Sequence, residues 1–223
     1  RIKSLAEFLT PEELYLDLID RVRKYHPSGD ISLIEKAYEV AGTAHAGQVR
    51  KSGEPYIVHP IEVSEIIKTM TSDENVICAG LLHDVVEDCG VDPLDIKKKF
   101  GTRVYALVMS ETEDRFSTKS ANETWKERKE DSLVMLRHTN DIDVKILWLG
   151  DKLSNMRSFY KTYLEIGNNL FNYLHQKDKK EHYWYYKNIS LLLSDLKDMD
   201  AYKEYNEKVN IIFEDVKNEC NNI

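Results

Sequence analysis

The apolar positions of this chain recur at helical spacing over most of its length. Residues 33–46 place apolar and small side chains on one helical face: Leu33, Ile34, Ala37, Val40, Ala41 and Ala44. The same period returns near the C-terminus, between Tyr202 and Val216. Glycine and proline are sparse, and no stretch alternates apolar and polar residues for long enough to suggest a sheet. The pattern therefore predicts an all-α protein.

Glycines, prolines and capping residues divide the pattern into separate helices. The segment GQVRKSGEPYIVHP, residues 47–60, interrupts the period and predicts a loop. Pro60 is well placed as the first residue of the next helix. Either Ser72 or Asp73 predicts the start of a helix that carries the motif LLHDVVED, and Gly90 predicts its end.

The second half of the chain starts with a polar, irregular stretch. Residues 114–124, DRFSTKSANET, predict a surface loop and a candidate lid. An apolar helix that turns polar in its middle follows later, at 141–160. No repeat, linker or low-complexity segment is present, so we expect one domain over 1–223, with a motif-bearing core at about 33–160 and C-terminal helices at 161–223.

Composition narrows the class of protein and its partners. Hydrophobic residues at 42% and charged residues at 31% are ordinary for a globular protein, and no apolar run reaches the roughly 20 residues of a membrane span. The net charge of -8 argues against nucleic acid as a partner, because such binding depends on phosphate neutralisation. The three cysteines form no CxxC pair, and no signal peptide is evident, so we expect a cytoplasmic protein.

The motif LLHDVVED places ionisable groups next to the most apolar run of the sequence. His83, Asp84, Glu87 and Asp88 directly follow NVICAGLL, residues 75–82. In a continuous helix His83 would share a face with Glu87, and Asp84 with Asp88. Such groups are costly to bury unpaired, and a bound cation is the usual remedy. Imidazole together with carboxylate suits manganese, iron or zinc.

Two other stretches supply candidate ligands for the same cation. His59 lies between apolar residues in YIVHP, directly before the predicted helix start. Asp151 interrupts an apolar helix, with Asn155 and Ser158 further along the same face. Alone, either His59 or Asp151 would be interpreted as a satisfied core group. Together with His83 and Asp84 they predict a catalytic metal site of two histidines and two aspartates that keeps positions open for water and substrate.

Three motifs in this order resemble one known family. RKSGEPYIVHP, LLHDVVED and GDKLSNMRS are similar to the hydrolase domain of the RelA/SpoT alarmone enzymes, a branch of the HD phosphohydrolase superfamily, over about residues 33–160. Gly150 and Ser154 depart from the Ala and the His or Tyr usual there. The resemblance implies an HD-domain helical bundle and removal of the 3′-pyrophosphate of (p)ppGpp to leave GDP or GTP. We expect a stand-alone small alarmone hydrolase that uses Mn²⁺, with another divalent metal as the alternative.

The resemblance also implies roles for single residues by their motif positions. The implied metal ligands are His59, His83, Asp84 and Asp151. The implied pair that orients and deprotonates the attacking water is Glu87 and Asp88. The implied substrate-binding residues are Arg50, Lys51, Asn155, Ser158 and Tyr183. Tyr183 comes from the aromatic cluster HYWYYK, where Tyr186 is an equal candidate and simple packing is the alternative.

Two other functions fit the same motifs. One is removal of the 2′-phosphate of NADPH, or hydrolysis of another nucleotide, at the same metal site. The other is a non-catalytic HD protein that binds a nucleotide or a protein partner. The intact ligand set and the Glu87–Asp88 pair favour an enzyme. A homo-oligomer is compatible with all three interpretations.

Overall fold

Every regular element in the described part of the chain is helical. The computed structural model describes residues 10–25, 30–113 and 120–220. Within these ranges the only β pairing is an isolated bridge between Val49 and Pro55. The all-α prediction is confirmed. No helix in the same ranges combines the length and the apolar character needed to cross a membrane.

The helices follow one another with short connections. In chain order they are α1 (Pro11–Tyr25), α2 (Ser32–Ala44), α3 (Val58–Lys68), α4 (Glu74–Leu82), α5 (Val85–Cys89), α6 (Pro93–Glu111), α7 (Ala121–His138), α8 (Ile142–Ile166), α9 (Lys179–Leu192), α10 (Asp200–Ile212) and α11 (Glu214–Cys220). They form two compact units. The first holds the described residues up to Thr112 together with Ile142–Ser154, and the second holds the remainder.

Helix α3 is the centre of the first unit. All of its residues from Val58 to Ile67 are buried, and it packs against α1 and α4. Two glycines allow neighbouring helices to approach it closely. A Cβ on Gly80 would lie 2.6 Å from Ser64 Oγ, and one on Gly150 would lie 2.9 Å from Ile67 Cγ1. These close approaches bring α4 and α8 against the helix that carries His59.

The motif LLHDVVED does not lie in one continuous helix, contrary to the prediction. Helix α4 ends at Leu82, and α5 begins at Val85. The Nδ1 atom of His83 lies 2.7 Å from the Gly80 carbonyl oxygen, the acceptor that a continuous helix would offer to the Asp84 N–H. The break therefore falls at the two residues of the HD pair.

Helix α3 begins two residues before Pro60, the predicted start. The helix begins at Val58, so His59 lies in its first turn and not before it. Pro60 is tolerated there because N–H groups of the first turn have no partner within the helix. For α4 the cap is Asp73, whose side chain accepts a hydrogen bond from the Asn75 N–H at 2.9 Å.

The prediction of a loop at 114–124 is wrong for its last four residues, because α7 begins at Ala121. Residues 114–119 lie outside the described residues, and with them most of the candidate lid. Ser120 caps α7, accepting a hydrogen bond from the Glu123 N–H at 3.3 Å while the Glu123 carboxylate accepts one from the Ser120 N–H at 2.7 Å. This reciprocal capping box is encoded by SANE, so residues 121–124 form the first turn of α7.

The second unit has an aromatic core. Tyr205 and Phe213 are fully buried, and the rings of Tyr183 and Tyr186 pack on Phe213 at centroid distances of 5.7 and 6.1 Å. The amphipathic C-terminal pattern forms two helices, α10 and α11, that meet at Phe213. Arg157 and Glu204 add a bidentate ion pair, with the shorter contact at 2.6 Å.

Candidate metal centre

Residues from all three sequence motifs meet inside the first unit. His59 comes from α3, His83 follows α4, and Asp151 belongs to α8. The two Nε2 atoms lie 3.2 Å apart, and Asp151 Oδ1 lies 3.0 Å from that of His59 and 3.2 Å from that of His83. All three side chains are buried. Their ligand atoms lie within 4.8 Å of one another, as a shared cation requires.

Asp84 extends this group of atoms towards the surface. Its Oδ2 atom lies 3.0 Å from His83 Nε2 and 3.6 Å from His59 Nε2. The Tyr56 hydroxyl donates a hydrogen bond to the same oxygen at 2.7 Å and lies 3.5 Å from Asp88 Oδ2. Tyr56 therefore connects the fourth proposed ligand to the acidic pair of α5.

Each imidazole is oriented by a hydrogen bond at its Nδ1 atom, on the side of the ring that faces away from the cluster. The Nδ1 atom of His83 faces a carbonyl oxygen, which can only accept, so this nitrogen carries the proton in the neutral ring. The Nδ1 atom of His59 lies 2.9 Å from Ser154 Oγ, and Ser154 donates to Glu62 Oε1 at 2.7 Å. Both Nε2 atoms consequently point into the cluster.

Lys152 holds the outer oxygen of Asp151. Its Nζ atom lies 2.8 Å from Asp151 Oδ2, 3.8 Å from Glu111 Oε2 and 4.8 Å from the centre of the Trp148 ring. Burial raises the pKa of Glu111 to about 8, although Lys152 opposes that shift. With Oδ2 occupied by Lys152, Oδ1 is the oxygen that Asp151 presents to the imidazoles.

The charges of the cluster are strongly coupled. Burial lowers the pKa of His59 to about 4. Burial also disfavours a charged His83, but Asp84 and Asp151 outweigh it and raise the pKa of that imidazole well above its usual value. For Asp151, burial alone would raise the pKa, yet Lys152 and His83 hold it well below the usual value. His83 lowers the pKa of Asp84 in the same way, again against burial.

This donor set fits a divalent cation. Two imidazole nitrogens and a carboxylate oxygen converge in a buried space, with a second carboxylate beside them. Thiolates do not take part, because the cysteines with described side chains, Cys78 and Cys89, are not in the group. Nitrogen and oxygen ligands together are typical of manganese, iron and zinc sites.

Four other residues predicted for the site belong to the first unit as well. Glu87 is half-buried and Asp88 exposed on α5. Arg50 lies in a tight loop, where its N–H donates to the Glu54 carbonyl at 2.9 Å and its side chain lies 3.8 Å from Glu54 Oε1. Lys51 beside it is exposed. Arg50 is close enough to His59 to contribute to the lowering of its pKa.

Three predicted substrate-binding residues belong to the second unit. Asn155 and Ser158 are half-buried on α8, directly beyond the metal motif. Tyr183 lies on α9 with only 5% of its surface exposed, against the ring of Phe213. Packing, the alternative for this tyrosine, accounts for that position without a ligand.

The sequence interpretation missed the residues that support the ligands. Glu62 and Ser154 each lie three positions after a predicted ligand, so helical spacing could have placed them on the same faces. Tyr56 lies inside the motif that contains His59 and was not assigned a role. Glu111 gave no comparable signal, because only the fold brings it to Lys152.

Several characterised proteins share part of their length with this chain. It is 37% identical over 139 residues to a GTP pyrophosphokinase of Myxococcus xanthus, which covers 61% of this chain and 18% of that protein. It is also 37% identical over 148 residues to a guanosine-3′,5′-bis(diphosphate) 3′-pyrophosphohydrolase of Vibrio cholerae, which covers 65% of this chain and 20% of that protein. The chain thus spans about a fifth of the length of these relatives.

Two solved structures are similar over nearly their whole length. The protein lmo0812 from Listeria monocytogenes superposes with a TM-score of 0.61 at 31% identity, covering 70% of this chain and 99% of that one. A metazoan ortholog of SpoT, described as hydrolysing ppGpp, gives 0.62 at 26% identity and covers 83% and 96%.

The family assignment rests on more than half of the chain. A model of the HD domain matches residues 37–169, a range that includes all four proposed ligands. The predicted similarity to the RelA/SpoT hydrolases is confirmed by the relatives named above. The chain therefore belongs to the HD domain family.

Proposed function

We propose that this protein is a Mn²⁺-dependent (p)ppGpp 3′-pyrophosphohydrolase. Water would attack the phosphorus bound to the 3′ oxygen, the P–O3′ bond would break, and GDP or GTP would leave together with pyrophosphate. The convergence of two imidazole nitrogens and an aspartate oxygen within 4.8 Å is the observation that carries the proposal. The Vibrio cholerae relative is named a 3′-pyrophosphohydrolase of this nucleotide, and the metazoan one is described as hydrolysing ppGpp; both support the choice of substrate.

In this proposal four side chains hold the cation: His59, His83, Asp84 and Asp151. A divalent cation supplies Lewis acidity, which polarises phosphoryl oxygens and lowers the pKa of water. The protein contributes orientation and charge balance. Lys152 limits Asp151 to one inward oxygen, and the Gly80 carbonyl fixes the ring of His83.

The acidic pair of α5 has the proton-transfer role. Glu87 and Asp88 follow the HD pair by one helical turn, so their carboxylates can accept the proton that the attacking water loses. Asp88 is already within reach of the Tyr56 hydroxyl, which also touches Asp84. Asp88 thus lies next to the Tyr56–Asp84 hydrogen bond, with its Oδ2 atom 3.5 Å from the same hydroxyl oxygen.

Basic and polar residues would bind the nucleotide. Arg50 suits stacking on a purine or bidentate contact with phosphate, and Lys51 offers an exposed charge. They give an acidic protein local positive charge. Asn155, Ser158 and Tyr183 are further proposed contacts of the nucleotide.

Release of pyrophosphate from ppGpp by the purified protein tests the proposal. Reactions with ppGpp, with pppGpp and with NADPH are run in parallel, each once with Mn²⁺ and once with EDTA. We expect metal-dependent pyrophosphate release from ppGpp and pppGpp. Release of phosphate from NADPH alone would instead establish the alternative phosphatase. Inactivity on all three nucleotides with Mn²⁺ bound would reject the hydrolase and favour the binding-protein alternative.

Replacement of single aspartates shows whether the activity belongs to this site. Asp84→Ala and Asp151→Ala should each abolish Mn²⁺ binding and turnover, because each removes a proposed ligand. Asp131→Ala removes an exposed carboxylate on α7 and serves as the matched control. Turnover retained by Asp84→Ala or Asp151→Ala would contradict the ligand assignment.

A further inference from the structure

We propose that Glu62 and Ser154 are positioning residues that hold His59 in the tautomer needed to bind a divalent cation. The inference rests on the proposed metal site and gives a role to two residues for which the sequence motifs imply none. It concerns which nitrogen of His59 carries the proton, not whether the ring is charged.

The direction of each hydrogen bond follows from the chemistry of the three groups. Ser154 has one hydroxyl proton, which it donates to the carboxylate oxygen Glu62 Oε1 at 2.7 Å. Ser154 Oγ must therefore accept from His59, whose Nδ1 atom lies 2.9 Å away. Nδ1 carries the ring proton, and Nε2 keeps its lone pair.

A competing tautomer exists in the same geometry. His59 Nε2 lies 3.0 Å from Asp151 Oδ1, so a proton on Nε2 would make a good hydrogen bond to that carboxylate. That proton would block the nitrogen that faces the proposed cation. The Glu62–Ser154 pair opposes this outcome. Because Ser154 donates its proton to Glu62, its Oγ atom can only accept a hydrogen bond from His59 Nδ1–H.

Burial makes this competition decisive. The exposed fractions are 2% for His59, 4% for Glu62 and 1% for Ser154, so water has little access to any of the three groups. Loss of the serine hydroxyl would leave Nδ1 facing an apolar methyl group. The tautomer with its proton on Nε2, hydrogen-bonded to Asp151, would then be favoured. Partners behind a metal-bound histidine typically contribute about 10- to 100-fold to metal affinity.

The tautomer can be observed directly in the metal-free protein. Nitrogen-15 shifts of the histidine ring distinguish a protonated from an unprotonated nitrogen, and His59→Asn identifies the signals of His59 by their loss. We expect Nδ1–H in the wild type and an increased share of Nε2–H in Ser154→Ala. The Mn²⁺ dissociation constant, measured by calorimetry, should rise by about 10- to 100-fold.

Two further variants separate positioning from a general loss of stability. Ser64→Ala removes another fully buried serine hydroxyl from α3, one that donates to the Ile77 carbonyl at 2.9 Å, and should leave Mn²⁺ affinity unchanged. Glu62→Gln keeps the size of the acceptor and removes its charge, so it should weaken Mn²⁺ binding less than Ser154→Ala. The double variant Ser154→Ala/Glu62→Gln should bind Mn²⁺ as Ser154→Ala does, because the two residues act in series.

An unchanged His59 tautomer in Ser154→Ala, or a Mn²⁺ dissociation constant within twofold of the wild type, would overturn the inference. Additive effects in the double variant would do the same. The proposed function fails separately. If the wild type binds Mn²⁺ and shows the predicted tautomer but hydrolyses none of the nucleotides, the positioning role stands and the reaction is wrong.

Discussion

Each proposed ligand makes a hydrogen bond to a neighbouring group that is not itself a proposed ligand. His83 is held by the Gly80 carbonyl, Asp151 by Lys152, and Asp84 by the Tyr56 hydroxyl. The ligand atoms are therefore oriented before any cation binds. Such preorganisation reduces the side-chain entropy lost on binding, so the supporting residues should matter almost as much as the ligands.

Tyr56→Phe tests this at Asp84. The substitution removes a hydroxyl that donates to Asp84 Oδ2 at 2.7 Å and keeps the ring. We expect Mn²⁺ affinity to fall about 10-fold, measured by calorimetry, because the carboxylate loses its fixed orientation. Tyr38→Phe, in the half-buried ring that stacks on Tyr15, is the control. Equal affinities in the wild type and Tyr56→Phe would reject the role of this hydroxyl.

Glu87→Gln tests the proton-transfer role. The variant keeps the shape of the side chain but cannot accept a proton, so Mn²⁺ should still bind while kcat for ppGpp falls by about 10²- to 10⁴-fold. Glu130→Gln, exposed on α7, should have no effect on either quantity. If kcat is unchanged in Glu87→Gln, the base must be sought at Asp88.

The helices were easier to predict than their interruptions. Periodicity and glycines located α2 and the end of α5 at Gly90, whose φ of 67° suits glycine. The break at His83 was missed because it arises from a side chain that binds the backbone, which hydrophobic spacing does not record. Gly150 lacked an explanation in the sequence, and the close approach of α8 to α3 now supplies one.

Gly150→Ala should show how tightly that approach is set. An added Cβ would lie 2.9 Å from Ile67 Cγ1 and 3.2 Å from the Val63 carbonyl oxygen. Overpacking of this kind destabilises by about 1–3 kcal/mol, more than the roughly 1 kcal/mol that alanine gains as a helix former. Because Asp151 is the next residue, Mn²⁺ affinity should fall as well.

A second glycine provides the control for this substitution. Gly42 lies inside α2, and a Cβ there would meet no atom within 4 Å. Gly42→Ala should therefore raise the midpoint of thermal unfolding, while Gly150→Ala lowers it. Stabilisation by both substitutions would show that α8 can move away from α3 without loss.

For the whole molecule, the order of three motifs was enough to predict the HD fold and four side chains that lie close together. What the sequence could not provide was the set of contacts made across the fold. Glu111 reaches Lys152, and Arg21 reaches Glu65, only because distant helices pack together. Spacing along one helix does not contain that information.

Glu65 should make the stability of the protein depend on pH. Only 3% of Glu65 is exposed, and burial raises its pKa from 4.5 to about 8, although the Arg21 Nε atom lies 3.4 Å from its carboxylate. Between these two pH values the unfolded chain releases the proton while the folded chain keeps it. The free energy of unfolding should therefore fall as the pH rises from 4.5 to 8, by at most about 1.4 kcal/mol per pH unit, and level off above.

Glu65→Gln isolates this contribution. Glutamine has no proton to release, so the variant should match the wild type at pH 4.5 and be more stable than it above pH 8, with the difference growing between. Denaturant unfolding at a series of pH values gives the two curves. Glu39→Gln, exposed on α2, should follow the wild type throughout. Parallel curves for wild type and Glu65→Gln would mean that Arg21 keeps the buried carboxylate ionised in the folded state.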